Sequence, residues 1–222
     1  MRENYFNNIN EHLDFSLEII NRVGVSKQES VIIDVGSANG DTSIMFAKFF
    51  PKSIVFSFEP NPNVFPTAIK KTKCYNNVKL HQLALSNLNS EVNFFITNNT
   101  WSSSLLDIQS LDTKIKRTEV VKVEVKMLDE VLSDNSLDVL LIKLDTQGTE
   151  LKILQGAKNT LKRTHFVLCE MANNFTYING VQYFEIDDFL RNNDFKLIAL
   201  FPKSCINADE YDALYQKNTL PS

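Results

Sequence analysis

The stretch from Val31 to Ser43, VIIDVGSANGDTS, constrains this chain more than any other. Its β-branched run, Val31, Ile32 and Ile33, reads as a strand buried on both faces. The run ends in an acid and a turn carrying Gly36 and Gly40 before a helical pattern begins. Glycine at these two positions permits a positive φ and removes the Cβ that would hold a ligand away from the backbone. Asp34 sits where a carboxylate can meet a cation or an amine. Strand, loop and helix start together form a cradle for a small molecule, unless they are only an ordinary βα turn.

A dinucleotide site asks for G-x-G-x-x-G, with the last glycine inside the first helical turn and a pyrophosphate over the helix N-terminus. The run Gly36, Ser37, Ala38, Asn39, Gly40 lacks that third glycine. An acid two residues before the first glycine also sits badly beside a diphosphate and suits a ligand carrying an ammonium group. The loop therefore favours a nucleoside bearing an amino acid over NAD.

The flanking chain supports an α/β reading. Leu13, Leu17, Ile20 and Val23 recur at helical spacing, which predicts a leader helix from Asn10 to Val23 ended by Gly24. Asp41 or Thr42 can cap a helix that presents Ile44, Phe46, Ala47 and Phe50 to a sheet until Pro51 stops it. A buried strand, Ser53 to Phe58, ends in Glu59 and then Pro60, Asn61 and Pro62. Glu59 stands 19 residues beyond Gly40, the separation at which an acid at a second strand tip reaches ribose hydroxyls. A helix from Asn63 to Tyr75 and a strand from Val78 to Leu83 complete βαβαβ, with His81 expected as a structural strand residue. The segment Leu83 to Ser86 would then border the base.

Between Asn87 and Met127 the rhythm changes. Val92, Phe94 and Ile96 alternate, as do Val121, Val123 and Val125, and both runs predict antiparallel strands with one wet face. The long connection NNTWSSSLLDIQSLD carries Trp101 and the triplet Ser102, Ser103 and Ser104. An aromatic face beside hydroxyls suits a sugar or polyol, so this connection is expected to act as an acceptor-site flap. Beyond it, a short helix from Leu128 to Leu132 precedes a strongly apolar strand, Leu137 to Leu144, closed by Asp145. The following stretch, ELKILQGAKNTL, reads as one helix. Lys143 and Asp145 are two apart and point to one face at the strand's C-terminal end, either as a site or as a structural ion pair. A fifth strand, His165 to Met171, passes Glu170, and the tail supplies a helix, a strand and a last strand at Tyr211 to Tyr215.

A chain of 222 residues with this pattern is expected to be a single domain, 1–222. It divides into a leader (1–30), a cofactor-binding half (31–86), an insertion (87–127) and a second half (128–222). A net charge of -4 argues against a nucleic-acid binder. Cys74, Cys169 and Cys205 are widely spaced and odd in number, as in a reduced cytoplasmic protein. The polar N-terminus resembles no signal peptide, and no apolar run is long enough for a membrane span.

Taken in order, IIDVGSANGDTS, FSFEPNP, LALSN, MLDEVL, LLIKLDTQGTELKILQGA and VLCEMA resemble the FkbM family of S-adenosylmethionine (SAM)-dependent methyltransferases. Two small departures occur. Ser37 precedes Ala38 where the family usually has alanine then asparagine, and Thr146-Gln147 stands where valine-glutamate or valine-glutamine is usual.

The resemblance implies a class I, Rossmann-like fold: a doubly wound, mostly parallel sheet with an N-terminal helix and a small antiparallel insertion. It also implies O-methylation of a sugar, glycan or small polyol. SAM would lie on Gly36, Ser37, Ala38, Asn39 and Gly40, with Asp34 toward its amino group, Glu59 on the ribose, and Leu83 and Ala84 beside the adenine. Ser43, Pro60, Asn61 and Asp145 would complete that shell. Asp145 is the expected general base. Lys143 could be a base only if burial lowers its pKa, and would otherwise orient an oxygen. Trp101, Ser102, Ser103, Gln147, Glu150 and Glu170 are expected around the acceptor. A divalent metal between Asp145 and Glu170 is conceivable but not indicated, since no His cluster accompanies them. The partner expected is the small-molecule or glycan acceptor, with no nucleic acid and with a homodimer left open. An NAD-type oxidoreductase and a non-catalytic scaffold are the competing readings.

Overall fold

A computed structural model describes residues 9–22, 29–109, 114–173, 176–202 and 210–218. The chain runs α1 (Ile9–Arg22), β1 (Val31–Val35), α2 (Asp41–Phe49), β2 (Ile54–Phe58), α3 (Phe65–Thr72), β3 (Val78–His81), β4 (Ala84–Leu85), β5 (Ser90–Thr97) and β6 (Arg117–Lys126). It continues through α4 (Leu128–Val131), β7 (Val139–Leu144), α5 (Glu150–Gln155), α6 (Lys158–Lys162), β8 (Thr164–Ala172), α7 (Tyr183–Asn192), β9 (Phe195–Pro202) and β10 (Glu210–Lys217). Val23, Gly24, Cys205 and the 110–112 end of the long connection lie outside the described residues.

Seven strands form the central sheet in the order β3-β2-β1-β7-β8-β10-β9. β10 runs antiparallel to both its neighbours, β8 and β9, and the strands from β3 to β8 pair in parallel. The β-branched run of β1 is buried at every position because helices cover both faces. Ile33 and Val35 face a core completed by Leu128, Leu154, Ile186 and Leu190. Ile32 faces the opposite core with Leu17 and Ile20 of α1 and Phe46 of α2. The order reverses between β1 and β7, and the crevice at the carboxyl ends of these two strands is where an open α/β sheet holds ligands.

A second sheet, β4-β6-β5, carries the predicted antiparallel pair and packs Ala84, Phe94, Ile96, Val123 and Val125. Here the expected third strand is corrected. It stops at His81, and Ala84 and Leu85 cross to pair with Val125 and Lys126 of β6. The apolar run Leu83 to Leu85 fits either sheet by pattern: Ala84 packs into the second sheet's core, while Leu83 and Leu85 stay in the main one. His81 itself stacks on Phe58, with ring centroids 5.2 Å apart.

The single helix expected over ELKILQGAKNTL is likewise two short helices, α5 and α6, broken at Gly156. A Cβ at Gly156 would lie 2.0 Å from the Ser86 carbonyl oxygen, so the chain turns at this contact. Asp129 then caps α6 by accepting from the Asn159 and Thr160 backbone N–H groups at 2.8 and 2.7 Å. α3 begins two residues later than the pattern suggests. The Asn61 side chain accepts from the Asn63 N–H at 3.0 Å and holds that segment as a turn.

Candidate active site

The loop after β1 is shaped by left-handed backbone at Gly36 (φ 77°), Ala38 (47°) and Gly40 (85°). Gly36 is required by proximity as well as by φ, because a Cβ there would meet the Asp145 carbonyl oxygen at 1.9 Å. The loops after β1 and β7 therefore touch, backbone to backbone. Gly36 and Ser37 both donate to the Phe58 carbonyl at the end of β2. Glu59 completes the join, its Oε2 accepting from Ala38 N–H at 2.8 Å and its Oε1 from Asn61 N–H at 2.7 Å. Burial pushes the Glu59 carboxyl up to about 7 against the opposing pull of these two donors. Ser37 Oγ, on a residue only 3% exposed, finds no hydrogen-bond partner among the described residues, and Asn61 Nδ2 shares that condition.

Beneath the loop, Ser57, Asp34 and Lys143 are register partners across β2, β1 and β7, so their side chains share the α1/α2 face. Asp34 is fully buried. Its Oδ2 accepts from Ser43 Oγ at 2.6 Å, and Ser57 Oγ lies 2.8 Å from the same serine. Lys143 Nζ stands 3.8 Å from Asp34 Oδ1 and 3.2 Å from Asp145 Oδ2. Burial raises the Asp34 carboxyl, held back by the Lys143 ammonium and the Ser43 hydroxyl. Burial alone would lower Lys143, but Asp145 and Asp34 outweigh it and the net direction is upward. The condition for Lys143 to serve as a base is therefore not met. Ser43→Ala would strip a donor from a buried carboxylate, at a cost of about 2 kcal/mol. The expected result is a lower urea midpoint at unchanged m-value. An unchanged midpoint would show that the hydroxyl does not hold Asp34.

A cavity of about 550 Å³ opens above this floor. The glycine loop, Glu59 and Pro60 line one end, Leu83 and Ala84 the side, Trp101 to Ser103 the roof, and Lys143, Asp145, Gln147 and Glu170 the far edge. The side chains of Asp34, Ser43 and Asn61 lie below or behind that lining, because their strand and turn positions direct them into the packed interior. Glu150 is also withdrawn. Its Oε1 accepts from Thr146 N–H (2.9 Å) and Thr146 Oγ1 (3.0 Å), and both its oxygens lie within reach of Gly148 N–H. It thus closes the turn before α5 and faces a smaller cavity of about 290 Å³.

Gln147, at φ 59°, bridges two acids. Its Nε2 donates to Glu170 Oε2 at 2.7 Å and to Asp145 Oδ1 at 3.2 Å. Asp145 and Glu170 are thus joined through an amide. Among the described residues, no group of three or more His, Cys, Asp or Glu is placed to hold a metal ion.

The described part of the long connection is fastened to its neighbours by backbone hydrogen bonds. Gln109 N–H donates to Thr176 O and Ile178 N–H to Asp107 O, while Ser104 bridges to Phe95. Its serine hydroxyls are largely engaged in this fastening: Ser103 Oγ accepts from Thr97 N–H and Ser102 Oγ from Asn99 Nδ2. Trp101, 60% exposed, stands at the cavity mouth. Sequence reasoning missed Tyr177, Glu210 and Asp212, which also line the cavity. Tyr177 OH donates to the Ser102 carbonyl at 2.8 Å and lies 3.0 Å from Gln147 Oε1. These residues belong to no spacing motif; only the pairing of Asp212 with Glu170 across β10 and β8 brings the acid to the edge. Among the described residues, no helix is long and apolar enough to cross a membrane.

Comparison with known proteins follows this geometry. The family model "Methyltransferase FkbM domain" matches residues 34–197. The 2-O-methyltransferase NoeI of Sinorhizobium fredii is 26% identical over 190 residues, covering 81% of this chain and 77% of NoeI. The hexuronic acid methyltransferase AglP of Haloferax volcanii is 27% identical over 151 residues, covering 66% of this chain and 57% of AglP. Among solved structures, the magnesium protoporphyrin IX methyltransferase ChlM of Synechocystis PCC 6803, with bound SAM, superimposes with a TM-score of 0.53 at 11% identity. That match covers 93% of this chain and 78% of ChlM.

Proposed function

Because this chain belongs to the FkbM methyltransferase family, we propose that it transfers a methyl group from SAM to a hydroxyl of a sugar or small polyol. Its fold is that of the class I SAM-dependent methyltransferases, and family membership sets aside the NAD reading. The similarity to NoeI, a 2-O-methyltransferase, and to AglP, a hexuronic acid methyltransferase, supports an O-linked, sugar-type acceptor. The observation that carries the reading is that the glycine loop, Glu59 and Asp145 open onto one cavity large enough for a nucleoside and a ring together. The buried free thiol of Cys169 and the exposed one of Cys74 suit work in the cytoplasm.

The residues present fit SAM. The left-handed backbone at Gly36 and Gly40 shapes the loop that lines the cavity, and the orphaned Ser37 hydroxyl lines the same space. Glu59 retains free lone pairs for two ribose hydroxyls, and Leu83 and Ala84 offer an apolar wall to the base. When bound, the cofactor supplies an electrophilic methyl on a sulfonium. The protein's own task is then to hold an acceptor hydroxyl in line and take its proton. Asp145 is the group for that proton. Lys143 fixes its Oδ2 and Gln147 its Oδ1 at the edge of the cavity. Lys143, held as an ammonium, is a positioning residue.

Calorimetric titration with S-adenosylhomocysteine (SAH), with NAD as control, tests the cofactor half: SAH alone should bind. The Glu59 carboxyl adds a pH signature. Its folded value of about 7 exceeds the ordinary glutamate value of 4.5, so the native state holds the extra proton between those values. Its contribution to stability therefore falls as pH rises through that window. Ribose hydroxyls donate to the ionised form, so binding runs the other way and SAH affinity should rise about tenfold from pH 6 to pH 8. Glu59→Gln should bind more weakly with a flat profile. A wild-type affinity independent of pH would remove Glu59 from the ribose.

A further inference from the structure

We propose that Ser104, which does not line the 550 Å³ cavity, is a positioning residue for methyl transfer that acts through Gln147 on the Asp145 and Glu170 carboxylates. This deepens, and rests on, the reading of Asp145 as the group that takes the acceptor proton. Gln147 carries an amide side chain on left-handed backbone, φ 59°, which an L-residue adopts at a cost and glycine does not. A strained side chain retained beside the cavity points to work that needs that side chain. The strain persists because the turn is held on every side. Glu150, buried, accepts from the N–H groups of Thr146 and Gly148, the two neighbours of Gln147. Val181 N–H donates to the Gly148 carbonyl at 3.1 Å. Ser104 Oγ donates to the Gln147 carbonyl at 3.0 Å and lies 3.4 Å from that of Thr146.

Ser104 is a firm anchor for this turn. It is 1% exposed, and it exchanges backbone hydrogen bonds with Phe95 of β5 at 2.8 and 3.2 Å. The same connection grips the far end of the Gln147 side chain. Tyr177 OH stands between the Ser102 carbonyl at 2.8 Å and Gln147 Oε1 at 3.0 Å, and burial pushes its phenol up, so it keeps its proton. With Oε1 turned to the tyrosine, Nε2 faces Glu170 Oε2 at 2.7 Å and Asp145 Oδ1 at 3.2 Å. Both acids thus accept from one planar NH2 group, and a rotation of the turn at Gln147 displaces the two together. A shift of about 1 Å in a reacting group is enough to cost up to about a hundredfold in rate. The glycine loop and Glu59 line the other end of the cavity, so the cofactor's seat does not depend on this turn.

A double-mutant cycle tests this, with SAM and the methyl glycosides of glucose, galactose and mannose as substrates and SAH release as the readout. On the glycoside that reacts, Ser104→Ala should lower kcat about tenfold, with acceptor KM and calorimetric SAH affinity within about threefold of wild type. Gln147→Gly should lower kcat by roughly thirtyfold or more, yet melt within about 3 °C of wild type because glycine relieves the left-handed backbone. The double variant should be no slower than Gln147→Gly alone, since Ser104 then has no amide to position. Where Ser104→Ala lowers the folded yield, Tyr177→Phe keeps the ring, removes only the hydroxyl and enters the same cycle. Losses that multiply, or a wild-type kcat in Ser104→Ala or Gln147→Gly, overturn this inference and leave the Asp145 reading standing. Full turnover by Asp145→Asn, or no turnover of any glycoside by a protein that binds SAH, overturns both.

Discussion

Gly36→Ala is expected to lower the melting temperature by about 10 °C or more and to abolish SAH binding. Two costs coincide at this position. A φ of 77° costs an L-residue roughly 1–2 kcal/mol. The new Cβ, 1.9 Å from the Asp145 carbonyl oxygen, must also be relieved by moving backbone, since no flexible side chain is involved. Separating the ends of β1 and β7 would in turn disturb the Gly36 and Ser37 hydrogen bonds to Phe58 and the Ala38 donor to Glu59. A total above about 4 kcal/mol places the substitution in the exceptional class, and a chain of this size loses about 2–4 °C per kcal/mol. Gly40→Ala is the internal control. Its φ is similar at 85°, but its Cβ would crowd a side-chain methyl, Thr72 Cγ2 at 3.0 Å, and touch Ala68 at ordinary distance, so a loss of a few degrees is expected. Equal melting temperatures for the two variants, read by circular dichroism, would show that the carbonyl contact carries no weight.

Asp145→Asn should reduce turnover by about 10²–10⁴-fold while SAH affinity stays within about threefold of wild type. The amide keeps the shape of the carboxylate and can still accept from Lys143, so the floor of the site survives. What disappears is a negative oxygen able to take the hydroxyl proton, together with the weaker of the two accepted contacts, that from the Gln147 amide. Single-turnover rates on a sugar acceptor, with calorimetry for SAH, separate the two effects. A rate near wild type would assign the proton to another group, and Glu170, held by the same Gln147 amide, would be the next to replace.

Much of this architecture is written locally. A β-branched run ending in an acid and a glycine loop, followed by an amphipathic helix, leaves the backbone few alternatives, and so β1, α2, β2 and Glu59 were legible. So was the alternation of β5 and β6, because a sheet with one wet face imposes a period of two. Elements failed where a distant contact overrode a local pattern. The helix over ELKILQGAKNTL breaks because Gly156 meets Ser86, and Leu83 to Leu85 leaves the main sheet because β6 waits to pair with it.

The site divides in the same way. Glycines, the ion pair Lys143–Asp145 and the strand-end Glu59 lie at recognisable spacings, so their chemistry could be named from sequence by itself. Their assignments could not. Asp34, Ser43 and Glu150 look alike as ligand groups in one dimension, yet Glu150 is spent on the turn before α5 and Ser43 on Asp34 Oδ2, while Asp34 Oδ1 is left buried with no hydrogen-bond partner among the described residues. Asp212 and Tyr177 carry no motif and enter the site through strand pairing and a loop docked across the sheet edge. Residue types and short-range periodicity determined which chemistry this chain can hold. Which oxygen faces the cavity and which is already satisfied was decided only by tertiary packing, because a buried polar group takes whatever partner the folded chain brings within reach.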